Sequence, residues 1–414
     1  MQNWIKINRS TEVAQTSAEQ IRLWSGPAIL SFGFRPFFFL GALWAALAMV
    51  LWISMLAGSI TLPTRFDAVS WHAHEFLFGY LSAIIAGFLL TAVPNWTGRL
   101  PIVGWRLGGL ATLWIAGRFA IAISDFIPAL LVALVDLAFS VALGLLIARE
   151  IVAGKNWRNL IVLVMLTVFT LANLLFHIDA GQGAYAAQGT GLRLGLASAL
   201  MMISVIGGRI VPSFTRNWLV KTGSNSLPVP PMQHFDKVVL LITFAGLALW
   251  VIWPDWFIAG LMLLLLAMAQ TIRLVRWKGL KTLSEPLVWV LHIGYALVPL
   301  GGISVGLNIL FPEALELAAA QHIWMAGATG LMTLAVMTRA TLGHTGRALH
   351  AGSATLAIYL ALIASVIVRL AAGVFPEIAM TFYSLSALLW IGAFGGFVIA
   401  YGGLLLRQKS GMSS

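Results

Sequence analysis

Two histidines and a glutamate stand together in the stretch Asp67-Ala68-Val69-Ser70-Trp71-His72-Ala73-His74-Glu75, and apolar or small residues then dominate from Phe76 to Ala92. The stretch is long enough to span a bilayer as a helix. Ionisable groups near one end of such a span are costly and by default functional. His72 and His74 are two apart, about 200° around a helix. They cannot easily bind one ion from the same face, and they could face two different centres, one on each side of the helix. Neutral imidazole suits haem iron and copper. Glu75 could carry a proton or orient a ligand imidazole. Arg118 and Arg369 sit inside other apolar stretches. A buried arginine wants an anion, and haem propionates are suitable partners. Snorkelling to the interface is the alternative for both.

The elements that must position these residues follow from composition. The chain has 414 residues, 60% hydrophobic and 9% charged, with a net charge of +11. Soluble domains carry about a quarter charged residues, so the sequence reads as an all-α integral membrane protein. The basic residues lie mostly in short loops, which argues against nucleic acid as a partner. There is no cysteine, which excludes disulfides, thiolate metal sites and covalent c-type haem. Histidine is then the expected metal ligand. The first 26 or so residues are polar and mixed, and no cleavable signal peptide is expected.

Twelve helical spans are expected, roughly at 36–57, 67–93, 104–124, 127–149, 157–180, 188–213, 235–253, 256–277, 285–311, 315–341, 353–373 and 377–406. They form one membrane domain over 36–406, between a cytoplasmic segment 1–35 and a cytoplasmic tail 407–414. The long connection after the sixth span, about 214–234, reads as a loop because of Pro228, Pro230 and Pro231. The loops alternate in charge. Lys6, Arg9, Arg22, Arg99, Arg106, Arg149, Lys155, Arg158, Arg216, Lys221, Lys237, Arg273, Arg276, Lys278, Lys281, Arg347, Arg407 and Lys409 fall on one side, and Asp67, Asp125, Asp179, Asp255, Glu313, Glu316 and Glu377 on the other, where Arg65 and Arg193 are the main basic exceptions. The positive-inside rule makes both termini cytoplasmic.

Topology converts position into depth. His72 and His74 open the second span, His177 closes the fifth and His322 opens the tenth, so four of the eight histidines share one depth near the outer face. That clustering points to a metal or haem layer, against the blander reading of polar interface residues. His292 and His344 lie towards the inner side and could form a second site. His234 and His350 read as solvated loop residues, and Asp136 as an in-span acid with a proton-carrying or structural role. Val93-Pro94-Asn95-Trp96-Thr97 and Val211-Pro212-Ser213-Phe214-Thr215 close the second and sixth spans, and Thr345-Gly346 after the tenth echoes Thr97-Gly98. Three four-helix units would explain this, and so would the ordinary reuse of Pro, Thr and Gly at helix ends.

Several motifs together resemble the NnrS family across essentially the whole chain. They are Gly33-Phe34-Arg35-Pro36-Phe37-Phe38, Trp71-His72-Ala73-His74-Glu75, Gly207-Gly208-Arg209 with Pro212, Phe214-Thr215-Arg216-Asn217, Val336-Met337-Thr338-Arg339 and Leu342-Gly343-His344-Thr345-Gly346-Arg347. The resemblance implies a multi-pass protein of the bacterial inner membrane, associated with b-type haem, copper, nitric oxide metabolism and nitrosative-stress defence. It implies His72, His74, His322 and His344 as motif histidines. His292 also fits, and His177 fits more loosely. Three activities are compatible with it. One is reduction of nitric oxide to nitrous oxide with electrons from quinol or a separate donor; twelve helices in three four-helix units would also resemble, by analogy of architecture alone, the haem–copper oxidases and nitric oxide reductases. The second is nitric oxide binding or sensing without turnover. The third is transport.

Overall fold

In hydrocarbon every backbone N–H and C=O needs an internal partner, so a chain this apolar must be helical or a closed barrel. The computed structural model describes residues 19, 23–314 and 316–407. All regular structure among them is helical. Lys6, Arg9, Arg22 and Lys409 lie outside the described residues, as does most of 1–35 and 407–414.

The helices are α1 (Phe34–Leu56), α2 (Ala68–Thr97), α3 (Trp105–Ala122), α4 (Ala129–Ala153), α5 (Trp157–Gly181), α6 (Thr190–Lys221), α7 (His234–Ile252), α8 (Phe257–Val275), α9 (Pro286–Leu310), α10 (317–344), α11 (Ser353–Val374) and α12 (Pro376–Leu406). Among the described residues ten of these are long and apolar enough to cross a membrane, and α3 and α10 are not in that set. The chain is a multi-pass membrane protein. Large side chains such as Phe119, Leu130, Leu145, Leu241, Val275, Ile367 and Ile399 are exposed on its flanks, as lipid contact requires.

Two helix ends differ from expectation. α2 continues through Pro94 to Thr97 and stops at Gly98, whose φ of 70° is left-handed. α6 continues through Pro212 to Lys221, so the loop begins about eight residues later than the sequence suggests. A proline removes only its own hydrogen bond, the one to the carbonyl four residues earlier, and the rest of the ladder can run on past it. Hydroxyls near both prolines fold back onto other carbonyls of their helices, Thr97 donating to Val93 (2.9 Å), Ser213 to Arg209 (2.7 Å) and Thr215 to Val211 (2.9 Å).

Burial separates the centre from the rim. α2 and α6 bury 78% and 67% of their most apolar windows, against 33% for α1, α4 and α11. α2, α6 and α10 share a second feature. Each changes from α to π geometry part-way, at Glu75–Tyr80, Ile203–Gly207 and Ile323–Thr329. A π turn spends an extra residue and is enriched at functional sites. α12 packs along α1. There Arg35, from the first motif, donates through Nη1 to the carbonyls of Leu404 (3.2 Å), Leu405 (3.0 Å) and Arg407 (3.0 Å). The last carbonyls of a helix have no internal partner, and a cation there also meets the negative end of the dipole.

Candidate functional site

The start of α2 fixes everything at this end of the bundle. Asp67 caps it, its Oδ1 accepting from the backbone N–H of Val69 and Ser70, both at 2.9 Å. Such a cap satisfies two of the four orphan donors of a helix start. Ser70 in turn accepts from the N–H of Ala187 (3.2 Å), tying α2 to the turn before α6. From this anchored turn His72 and His74 point to different surroundings, as their spacing predicts.

His72 lines a largely apolar cavity between α1, α2, α6, α10, α11 and α12, with about 1230 Å³ of space not filled by protein atoms, part of it open to the exterior. Its ring stacks on Trp52, with centroids 4.0 Å apart. His322, at the start of α10, lines the same cavity. The two imidazoles lie 9° from parallel, with centroids 6.4 Å apart. His322 Nδ1 is 2.6 Å from the Ala318 carbonyl. A carbonyl only accepts, so Nδ1 carries the proton and Nε2 keeps a lone pair. Arg369 of α11 also lines the cavity, with its guanidinium over Tyr383 at 4.7 Å. Its Nε and Nη1 are buried without a partner, and so is His72 Nδ1. Orphaned buried donors are costly. An apolar cavity with two facing imidazoles and an unpaired guanidinium fits a flat apolar ligand that carries both a metal and a carboxylate.

His74 faces the opposite way, into a buried polar cluster. Its Nδ1 is 3.0 Å from Glu75 Oε1, and its Nε2 is 3.1 Å from Asn173 Oδ1 and 3.2 Å from Asp136 Oδ2. His177 Nε2 is 3.0 Å from the same Asp136 oxygen, which also accepts from Asn173 Nδ2 at 2.7 Å. Ligand atoms of His74, Asp136 and His177 all lie within 4.8 Å of one another. Two imidazoles and a carboxylate are a donor set for copper or zinc. Phe66 packs against both imidazoles, with ring centroids 5.5 Å from His74 and 6.0 Å from His177, and Phe176 packs against His74 at 5.5 Å.

Arg118 joins the two acids. Its Nη1 donates to both oxygens of Glu75, at 2.9 Å each, and its Nη2 pairs with Asp136. Trp44 Nε1 gives Glu75 a further hydrogen bond at 2.7 Å. A Cβ on Gly79 would lie 2.9 Å from Glu75 Oε2, and one on Gly117 2.8 Å from Asp136 Oδ1. Glycine at both positions is what lets the guanidinium sit between the carboxylates. Arg118 thus meets its own protein's anions and does not line the cavity, whereas Arg369 does. Glu75 is fully buried and likewise does not line the cavity.

The structure does not bring His292 and His344 together in one site. His292 is 2.8 Å from the Thr215 hydroxyl on α6. His344 is exposed and packs against Phe32 and Phe34. The two motifs nearby also meet each other, Arg339 lying over the Phe214 ring at 4.0 Å. His234 begins α7 and is exposed. His350 is exposed but partnered, with Nδ1 2.7 Å from Glu285 Oε2.

Trp44, Trp52 and Asn173 were not singled out by the sequence reading. Asn173 had a signal, since it precedes His177 by four residues on α5 and so shares its face. The two tryptophans had none beyond being aromatic.

No curated protein matches the chain. The family model described as NnrS protein matches residues 28–409.

Proposed function

The chain belongs to the NnrS family, and from that premise we propose a haem- and copper-binding membrane protein of nitric oxide metabolism and nitrosative-stress defence. The observation that carries this is the pair His72 and His322, parallel across the cavity with centroids 6.4 Å apart. Two imidazoles at this separation could serve one metal, whose bonds to imidazole nitrogen run about 2.0–2.1 Å. His72 and His322 would hold a b-type haem, and the unpaired Nε and Nη1 of Arg369 would bind one of its carboxylates. His74, Asp136 and His177 would hold copper. When bound, haem iron would supply a reducible site for nitric oxide and copper a second redox centre.

The chain's own contribution is orientation. Glu75 accepts from Arg118 and Trp44 and sits at hydrogen-bond distance from His74, so it fixes the ring of a ligand, a positioning role that metal-ligating histidines commonly need. Tyr80, Phe76, Leu77 and Trp390 give the cavity largely apolar walls.

The reaction we propose joins two nitric oxide molecules, with two electrons and two protons, into nitrous oxide and water. Quinol or a separate protein would supply the electrons. One observation favours a second reading, binding without turnover. No carboxylic acid lines the cavity among the described residues, and Glu75 and Asp136 are both engaged with Arg118. Anaerobic nitric oxide consumption by the reduced, purified protein, with nitrous oxide measured as product, separates the two. Uptake that stops at stoichiometric binding across several reductants, quinols included, removes the reductase and leaves the binding protein. A purified protein with no visible chromophore would instead favour the transporter.

The proposal includes twelve spans in the inner membrane with both termini cytoplasmic, supported by the charge alternation. It also includes three four-helix units. Their support is that α2, α6 and α10, four helices apart, each carry a π segment.

A further inference from the structure

A second cavity lies between the far halves of α2, α6 and α10, with about 640 Å³ of unfilled space, part of it open. Its walls are hydrocarbon almost throughout, built from Ile84, Phe88, Met202, Ile210, Met332 and Val336 with their neighbours. It takes up where the histidine-lined cavity stops. Thr329 lines both, while Tyr80 lines the first and Thr333 the second. The partition is one hydrogen-bonded pair thick. The Thr333 hydroxyl donates to the Thr329 carbonyl (2.6 Å), so the 2.7 Å contact between Tyr80 and Thr333 is donated by the tyrosine.

We propose that this second cavity binds small apolar gas molecules and is the inner leg of the path by which nitric oxide reaches the histidine-lined cavity. Water needs two to four polar partners to enter a cavity, and apolar cavities stay dry yet take up xenon. These walls offer a gas dispersion contact and offer water almost nothing. A quinol head would need hydrogen-bond partners. The Thr333 hydroxyl is already committed, and the buried Thr329 Oγ1, which has no partner, is the polar atom left over. Nitric oxide is small, uncharged and concentrated in lipid, so a route with hydrocarbon walls suits it. Taking nitric oxide as the gas rests on the function proposed above, whereas the xenon binding does not.

The test uses the full-length protein in lipid nanodiscs with xenon as the probe. Saturable exchange of hyperpolarised xenon is expected in the wild-type protein. It should fall by at least half in Ile210→Trp and in Val336→Trp, which fill only this cavity. The same variants should slow carbon monoxide rebinding to the reduced chromophore threefold or more with an unchanged spectrum. Tyr80→Phe keeps the volume, removes the partition's hydrogen bond and should speed rebinding. Xenon exchange that is absent, or equal in wild type and both variants, overturns the binding site. Exchange that appears only after lipid is stripped overturns it too, because an acyl chain is then the occupant. Loss of xenon with rebinding unchanged in all three variants overturns the path. If no preparation binds a gas at a chromophore, the proposed function fails while the xenon result stands by itself.

Discussion

Arg118 shows how far a single residue could be read. An arginine inside an apolar span announces that an anion is near, and the sequence could not say whose. The anions are Glu75 and Asp136, from α2 and α4, and they meet Arg118 only because Gly79 and Gly117 leave room. Removing one partner of a buried ion pair typically costs about 3–5 kcal/mol, since the other charge stays buried and alone. Arg118→Leu should therefore lower stability by about that much, read by thermal unfolding in detergent. The triple variant with Glu75→Gln and Asp136→Asn should recover part of the loss, and a triple variant no more stable than the single one would refute the ion-pair account. At the cavity, His72→Ala and His322→Ala should each cut chromophore content in the purified protein more than twofold. Arg369→Gln should weaken its retention in dilute detergent. His292→Ala, whose ring is spent on Thr215, should leave the spectrum unchanged. Equal spectra for all four would refute the cavity assignment. The opposite facing of His72 and His74 was legible because helix geometry fixes angles from spacing alone. Asp136 as the meeting point of His74, His177, Asn173 and Arg118 was not, because it depends on how four helices, α2 to α5, pack.

At the scale of the element, span positions were legible and helix interiors were not. A run of apolar residues sets a span, and the observed ends mostly fall within a few residues of the expected ones. The exceptions are the proline-containing ends of α2 and α6, where a local breaker reads as a stop and the helix runs on to Thr97 and Lys221. The π segments left no local signature. Glu75–Tyr80 and Ile323–Thr329 follow directly on His74 and His322. The extra residue changes the phase between the histidine-bearing turns and the rest of the helix. Deleting Leu77 should restore regular α geometry and rotate the two parts of α2 by about 100° relative to each other. We expect far-UV helicity to persist while the chromophore is lost. A deletion variant with full chromophore content would show that the π turn is dispensable.

At the scale of the molecule, the class was legible from charge depletion and apolar length, and the bundle's arrangement was not. Which helices occupy the centre depends on burial, and α1 and α2, whose most apolar windows are equal in mean hydropathy, differ more than twofold in how much of that window is buried. Orientation is the expectation to check directly. A reporter fused after Gln408 should be active in the cytoplasm, and activity only in the periplasm would invert the placement of both sites. One consequence follows from α2 being the shared wall. Its partner on one side is His322 of α10, and on the other Asp136 of α4 and His177 of α5. Drawing α2 towards one set draws it away from the other, like a balance beam with a pan on each side. Two ligands that each tighten their own side would then oppose one another, and thermodynamic reciprocity makes the penalty equal in both directions. Copper titrated into haem-free and haem-loaded protein should bind more weakly to the loaded form. Haem should be lost faster from the copper-loaded form. Equal copper affinities would mean that the beam does not tilt and the two pans are weighed separately.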